Sequence, residues 1–190
     1  NRCFDQNHPQ AKPAQRSEML RQLQSLNGTP FVKALDTSKE TSSWRERYGQ
    51  GEFAKNCLIA RRLLESGVRF VEVRQSGWDT HTNNFAETRE LCKQIDQPFA
   101  TLLQDLESSG LLAETLILWL GEFGRTPIIN AARGRDHFPT VTPVVLAGAG
   151  LDGGRVIGNT NATGTEIQGN AHSVADLFAT IFSALGIPTD

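Results

Sequence analysis

Residues 115–127 read TLILWLGEFGRTP, a short and almost wholly apolar run that passes at once into a glycine turn carrying Glu122 and Arg125. The apolar part falls far short of the ~20 residues that cross a bilayer. Its shortness and lack of polar alternation read as a strand apolar on both sides, as where helices cover both faces of a sheet. In open α/β sheets the ligand-binding loops collect at the carboxyl ends of such strands.

Two further stretches repeat the pattern. V68-R-F-V-E-V73 alternates partly and is rich in branched and aromatic residues; it reads as a strand that stops near Gly77 and runs into WDTHTNN. P143-V-V-L-A147 reads as a third strand, preceded by GRDHFP and closed by GAGLDGG.

Helical patterns lie between and around these stretches. Phe53, Cys57, Leu58 and Leu64 form one stripe, with Gly67 where a left-handed C-cap falls. Leu91, Ile95, Phe99, Leu102, Leu103 and Leu106 form another, in a helix that Asn84 caps with Glu87 three residues on, that Pro98 kinks or splits, and that Gly110 ends. Ser173 caps a closing helix through Leu185, with Asp176 completing a capping box and Gly186 as C-cap. Trp44 and Tyr48 are spaced for one helix face. Residues 1–16, with two prolines, read as an extended lead-in, and a short helix starts at Ser17 and closes near Asn27-Gly28.

This succession predicts an α/β domain of three layers, a largely parallel sheet with helices on both faces, over residues 17–190. Three strands are few for such a sheet, so it reads as incomplete.

Composition narrows the function. Nineteen Lys plus Arg against 21 Asp plus Glu give a net charge of −2, with no dense basic run, which speaks against a nucleic-acid partner. The first 75 residues are net basic and the rest net acidic, which suits packing of one half on the other or on a partner segment. Cys3, Cys57 and Cys92 make neither a CxxC metal pair nor a disulfide framework, and the last two read as buried small hydrophobes. No GxSxG elbow, P-loop or dinucleotide fingerprint is present.

Three polar clusters adjoin the strands: Asp79 with His81, Glu122 with Arg125, and Asp136 with His137. Carboxylate and imidazole donors together suit Zn²⁺, Mn²⁺ or Fe²⁺. In an extended Asp-x-His segment both side chains point the same way and can grip one ion, whereas adjacent Asp136 and His137 diverge unless a turn intervenes. Each group also has a plainer reading. Asp79 can simply orient His81, Glu122 can pair with Arg125, and Asp136 and His137 can be satisfied loop polar groups. Arg125 offers a rigid fork of donors for a sulfate, phosphate or carboxylate. His172 is explained by its place before a helix cap, and His8 reads as exposed and inert.

The motifs RRLLESGVRFVEV, GWDTHTNN, DLESSGLLAETLILWLGEFGRTP, GRDHFP and DLFATIFSALGIP resemble those of the DUF1501 family of sulfatase-like bacterial proteins, from about residue 17 to residue 190. The resemblance implies an alkaline phosphatase and sulfatase type of fold and a metal-dependent hydrolase of sulfate or phosphate esters. It implies Asp79, His81, Glu122, Asp136 and His137 as metal ligands and Glu122 and Arg125 as catalytic groups. The implied cofactor is a divalent ion, zinc, manganese or calcium, and the implied substrate a small anionic ester or sulfated carbohydrate.

Asp79 with His81 looks like the first pair of that superfamily's later ligand set, and His137 like its last histidine. In a second alignment Asp136-His137 is the Asp-His pair and His172 the last histidine. Phe123 stands where that superfamily's Asp-His-Gly motif has histidine. The expected early Asp and nucleophile have no match in residues 1–16, which implies the C-terminal part of a domain. Such a part is inactive without its N-terminal half, or serves as a non-catalytic anion- or carbohydrate-binding protein, with that half or a second copy as partner. A periplasmic or secreted location follows from the resemblance alone.

Overall fold

The computed structural model describes Arg21 and residues 29–188. The lead-in over 1–16, His8, Cys3 and all but Arg21 of the helix expected from Ser17 lie outside the described residues.

Pro30–Leu35 forms a short helix, α1, started by Pro30 at its first position and by the Thr29 hydroxyl, which accepts from the Val32 amide. Ser42–Tyr48 forms α2 and Glu52–Glu65 forms α3. The end of α3 is a Schellman motif: Gly67, at φ 86°, donates to Leu64 O and Val68 donates to Leu63 O. Only a residue without a Cβ takes that φ at no cost. Asn84–Ser108 forms the long helix α4. It runs unbroken through a buried Pro98 rather than being split there. Its N-cap is Asn83, in the left-handed region at φ 43°, and not Asn84, whose amide is turned to other work described below. The closing helix, α5, spans Val174–Ala184 and keeps the expected capping box between Ser173 and Asp176.

The core is helical. Tyr48 of α2, Ala54, Cys57 and Leu58 of α3, and Leu102 and Leu106 of α4 are buried against one another, with Trp44, Phe53, Leu64, Val73 and Ile117 packed around them. Leu106 is fully buried. Truncating it to alanine is expected to cost about 2–5 kcal/mol, because lost transfer energy and a residual cavity add; a urea midpoint shift at unchanged slope checks this.

Polar groups at the margin fasten the helices. Arg61 and Arg62 both pair with Glu40, Arg61 lies 4.0 Å over the Trp44 ring, and Arg47 donates to Asp105. Burial pushes the Cys57 thiol up to about 12, so it is a packing group and no nucleophile at neutral pH. Cys92, expected to be buried, is exposed on α4.

The strands overturn the expected parallel sheet. Leu116–Leu120 (β1) pairs antiparallel with Val144–Gly148 (β4), Leu118 facing Leu146. Gly124–Arg125 (β2) pairs antiparallel with His137–Phe138 (β3), and Asn159–Thr160 (β5) with Ile167–Gln168 (β6). Among the described residues the sheets are thus three antiparallel two-stranded ladders, not one parallel layer between helices.

The reason lies in the connections. Parallel neighbours need a crossover element, and the chain between Leu120 and Val144 holds only loops and the β2–β3 ladder. Nor is β1 covered on both faces: Trp119 meets Phe99 of α4 edge to face, yet Leu118, Trp119 and Leu120 are all exposed. The expected strand over 68–73 forms no ladder among the described residues. In place of a strand the segment runs without regular structure, with Val73 on the core and Phe70 in solvent.

Candidate metal centre

Two loops build the site, one entering α4 and the other joining β2 to β3. The second clamps the first through backbone bonds: Arg135 N donates to Thr80 O, Asn83 N to Ala132 O and Asn84 N to Arg133 O. Thr80 is buried beneath them and accepts from the Asn84 amide at 2.6 Å. The Arg135 guanidinium donates to Asn84 Oδ1 and to the carbonyls of Thr126 and Pro127. Gly134 is where the loops touch: a Cβ there would stand 1.9 Å from His81 O. No side chain larger than hydrogen fits that approach.

The clamp brings Asp79, His81 and His137 to one point. Asp79 Oδ1 lies 3.1 Å from His81 Nε2 and 3.2 Å from His137 Nε2, and the two imidazole nitrogens are 3.1 Å apart. Three donor atoms at mutual distances of 3.1–3.2 Å would suit one small divalent ion bound at the ~2.0–2.1 Å of Zn–N and Zn–O bonds. The three residues are a group able to hold a metal ion.

Chemistry points the same way as distance. His81 Nδ1 lies 3.0 Å from Asp136 Oδ1 and Nε2 lies 3.1 Å from Asp79 Oδ1; a ring that donates from Nδ1 to Asp136 keeps its Nε2 lone pair for an ion. Arg125 adds positive charge at this point, with Nη1 at 2.7 Å from Asp79 Oδ1 and 3.5 Å from His81 Nε2.

The other expected residues take different places. Glu122 Oε1 accepts from Arg125 Nη2 at 2.7 Å and stands 4.0 Å from His137 Nε2, at the rim of the triangle. Asp136 lies on the far side of the His81 ring, against Nδ1, and is not one of the grouped three. Adjacent side chains in extended chain point oppositely, and Asp136 and His137 follow that rule. Arg125 and His137 are direct cross-strand partners of the β2–β3 ladder. Phe123 packs on the His137 ring, centroids 4.5 Å apart. His172 neighbours Asp176 at the start of α5, and no bond joins it to the cluster among the described residues.

Asn130 and Arg135 tie the loops together and were not singled out from sequence.

The Arg125 and His137 hydrogen bonds hold the Asp79 carboxyl below the usual carboxylate range, and His81 and Asn130 do the same for Asp136. A carboxyl with lowered folded pKa contributes stability above the ordinary range and loses it as pH falls through the folded value. A ¹³C titration of the Asp79 carboxyl is therefore expected to show a midpoint below ~3.9, moved upward by Arg125→Ala. An unmoved midpoint would mean that the ion pair does not form in solution.

The grooves bordered by Gly77 and Leu91 and by Leu151 and Ala179 include no residue of the cluster. No helix among the described residues is long and apolar enough to cross a membrane.

The family model described as protein of unknown function, DUF1501, matches residues 1–190. That corrects the expectation of a likeness beginning at residue 17, since the match spans this whole chain. The alkaline phosphatase and sulfatase type of fold that the motifs implied is overturned by the antiparallel ladders, since that fold has a largely parallel sheet. No curated protein and no solved structure matches the chain.

Proposed function

The chain belongs to the DUF1501 family, and we propose that it is a metal-dependent hydrolase of a small anionic ester, a sulfate or phosphate ester, sulfated carbohydrate included. The observation that carries this reading is the close triangle of Asp79 Oδ1, His81 Nε2 and His137 Nε2 with a guanidinium at its edge. A divalent ion held by those three donors, zinc or manganese by donor type and calcium as a third candidate, supplies Lewis-acid polarisation of an ester oxygen.

The chain's own groups do the rest. Arg125 is mostly buried and held by Asp79 at Nη1 and Glu122 at Nη2, so its remaining N–H groups have a fixed orientation in which to meet a sulfate or phosphate oxygen. The same charge stabilises negative charge developing on that group. To Glu122, whose Oε1 is 4.0 Å from His137 Nε2, we assign the taking of a proton from an attacking water.

One observation favours a second reading, an anion- or carbohydrate-binding protein without turnover. Asp79, His81 and His137 are each between 43% and 66% exposed, so water reaches the site freely and no dry cavity strengthens its charges. Initial rates with aryl sulfate and aryl phosphate esters separate the two. The hydrolase reading expects turnover with added zinc, manganese or calcium, lost on chelation and in Arg125→Ala. Absent turnover in the metal-loaded protein, with sulfate or phosphate still bound, would establish the second.

A further inference from the structure

We propose that Asn130 and Asp136 are a positioning pair for His81, Asp136 holding the imidazole in the form protonated at Nδ1 and Asn130 holding Asp136. Asp136 Oδ1 takes both bonds, one from His81 Nδ1 at 3.0 Å and one from Asn130 Nδ2 at 3.0 Å. Asn130 also donates to His81 O at 3.1 Å, so one amide grips the carboxylate and the backbone of the residue that the carboxylate orients.

The amide itself cannot swing. Its Oδ1 accepts from the amides of Ala132 and Gly134, which fixes which end is oxygen and which is nitrogen. Asp136 is pinned through its backbone as well, its N–H donating to Thr126 Oγ1 and its carbonyl accepting from Thr126 N. The ring is thus held from one side by a carboxylate whose position is set by at least three independent bonds, and its Nε2 faces Asp79, His137 and Arg125.

A carboxylate partner on the outer nitrogen orients a ligating imidazole and raises its basicity. The benefit to an ion rests on the metal-site reading above; the hold on the ring does not.

Long-range ¹H–¹⁵N correlation of the His81 ring in the full chain, at a pH where the ring is neutral, tests the hold directly. The expected result is the Nδ1–H form in the unaltered protein, its loss in Asp136→Leu, and its retention in Asp136→Asn, whose amide oxygen still accepts. A zinc titration tests the consequence: affinity about 10–100-fold weaker in Asp136→Leu at unchanged stoichiometry, with a smaller loss in Asn130→Ala.

An Nε2–H form in the unaltered protein, or a tautomer indifferent to Asp136→Leu, would overturn the proposal. So would loss of an oxygen donor from the zinc coordination in Asp136→Asn, which would make Asp136 a ligand. If the unaltered protein bound no zinc while the tautomer moved as described, the positioning pair would stand and the metal-site reading alone would fall.

Discussion

Gly134→Ala is expected to remove stoichiometric metal binding and to destabilise the chain by about 2–4 kcal/mol, the loss of several hydrogen bonds at ~0.5–1.5 kcal/mol each. The added methyl would stand 1.9 Å from His81 O, 2.0 Å from His81 C and 2.5 Å from Thr82 N. All three are backbone atoms, so no side-chain rotation relieves the clash. The β2–β3 loop must lift away, and with it go the bonds from Arg135 N to Thr80 O and from Asn130 Nδ2 to His81 O. His137 then parts from Asp79 and His81, because it rides on that loop.

Gly153→Ala is the control: a Cβ there meets nothing within 4 Å. It is expected to leave urea stability and zinc binding unchanged. Equal behaviour of the two variants would mean that the loops do not approach as closely as described.

The second large effect is at His81. His81→Ala is expected to weaken zinc binding by more than the roughly 10–100-fold that loss of a ligand's hydrogen-bond partner brings, while stability moves within about 1 kcal/mol. The ring is 43% exposed and its burial contributes little. Calorimetric titration beside urea unfolding reads both quantities, and His137→Ala should behave alike. A variant that unfolds, or that binds zinc as before, would place the ion elsewhere.

Much of this site could be read from residue types alone. Asp79, His81 and His137 were candidate donors by residue type, although the bonds from Thr80 N to Trp78 O and from His81 N to Asp79 O bring the first two together across tight turns and not along an extended segment. Helix ends were equally legible, because Gly67, Gly186 and the Ser173–Asp176 pair are each demanded by local backbone geometry.

What sequence could not supply was long-range. An apolar run such as Leu116–Leu120 carries no mark of strand direction; the partner and the connection decide it, and here the partner is Val144–Gly148 by way of a loop. Asp136 and His137 are neighbours in sequence, so nothing local says that one faces the triangle and the other the back of the His81 ring. Asn84 suits a cap as well as Asn83 by residue type. It became a buried bridge between Thr80 and Arg135 only because the distant loop arrived there.

X-ray absorption of the zinc-titrated protein, read at the metal edge, tests the central claim most directly. One ion per chain is expected, with two imidazole nitrogens and a carboxylate oxygen at ~2.0–2.2 Å, and with one imidazole lost in either His81→Ala or His137→Ala. Absence of saturable binding, or a shell without imidazole, would contradict a metal centre built from Asp79, His81 and His137.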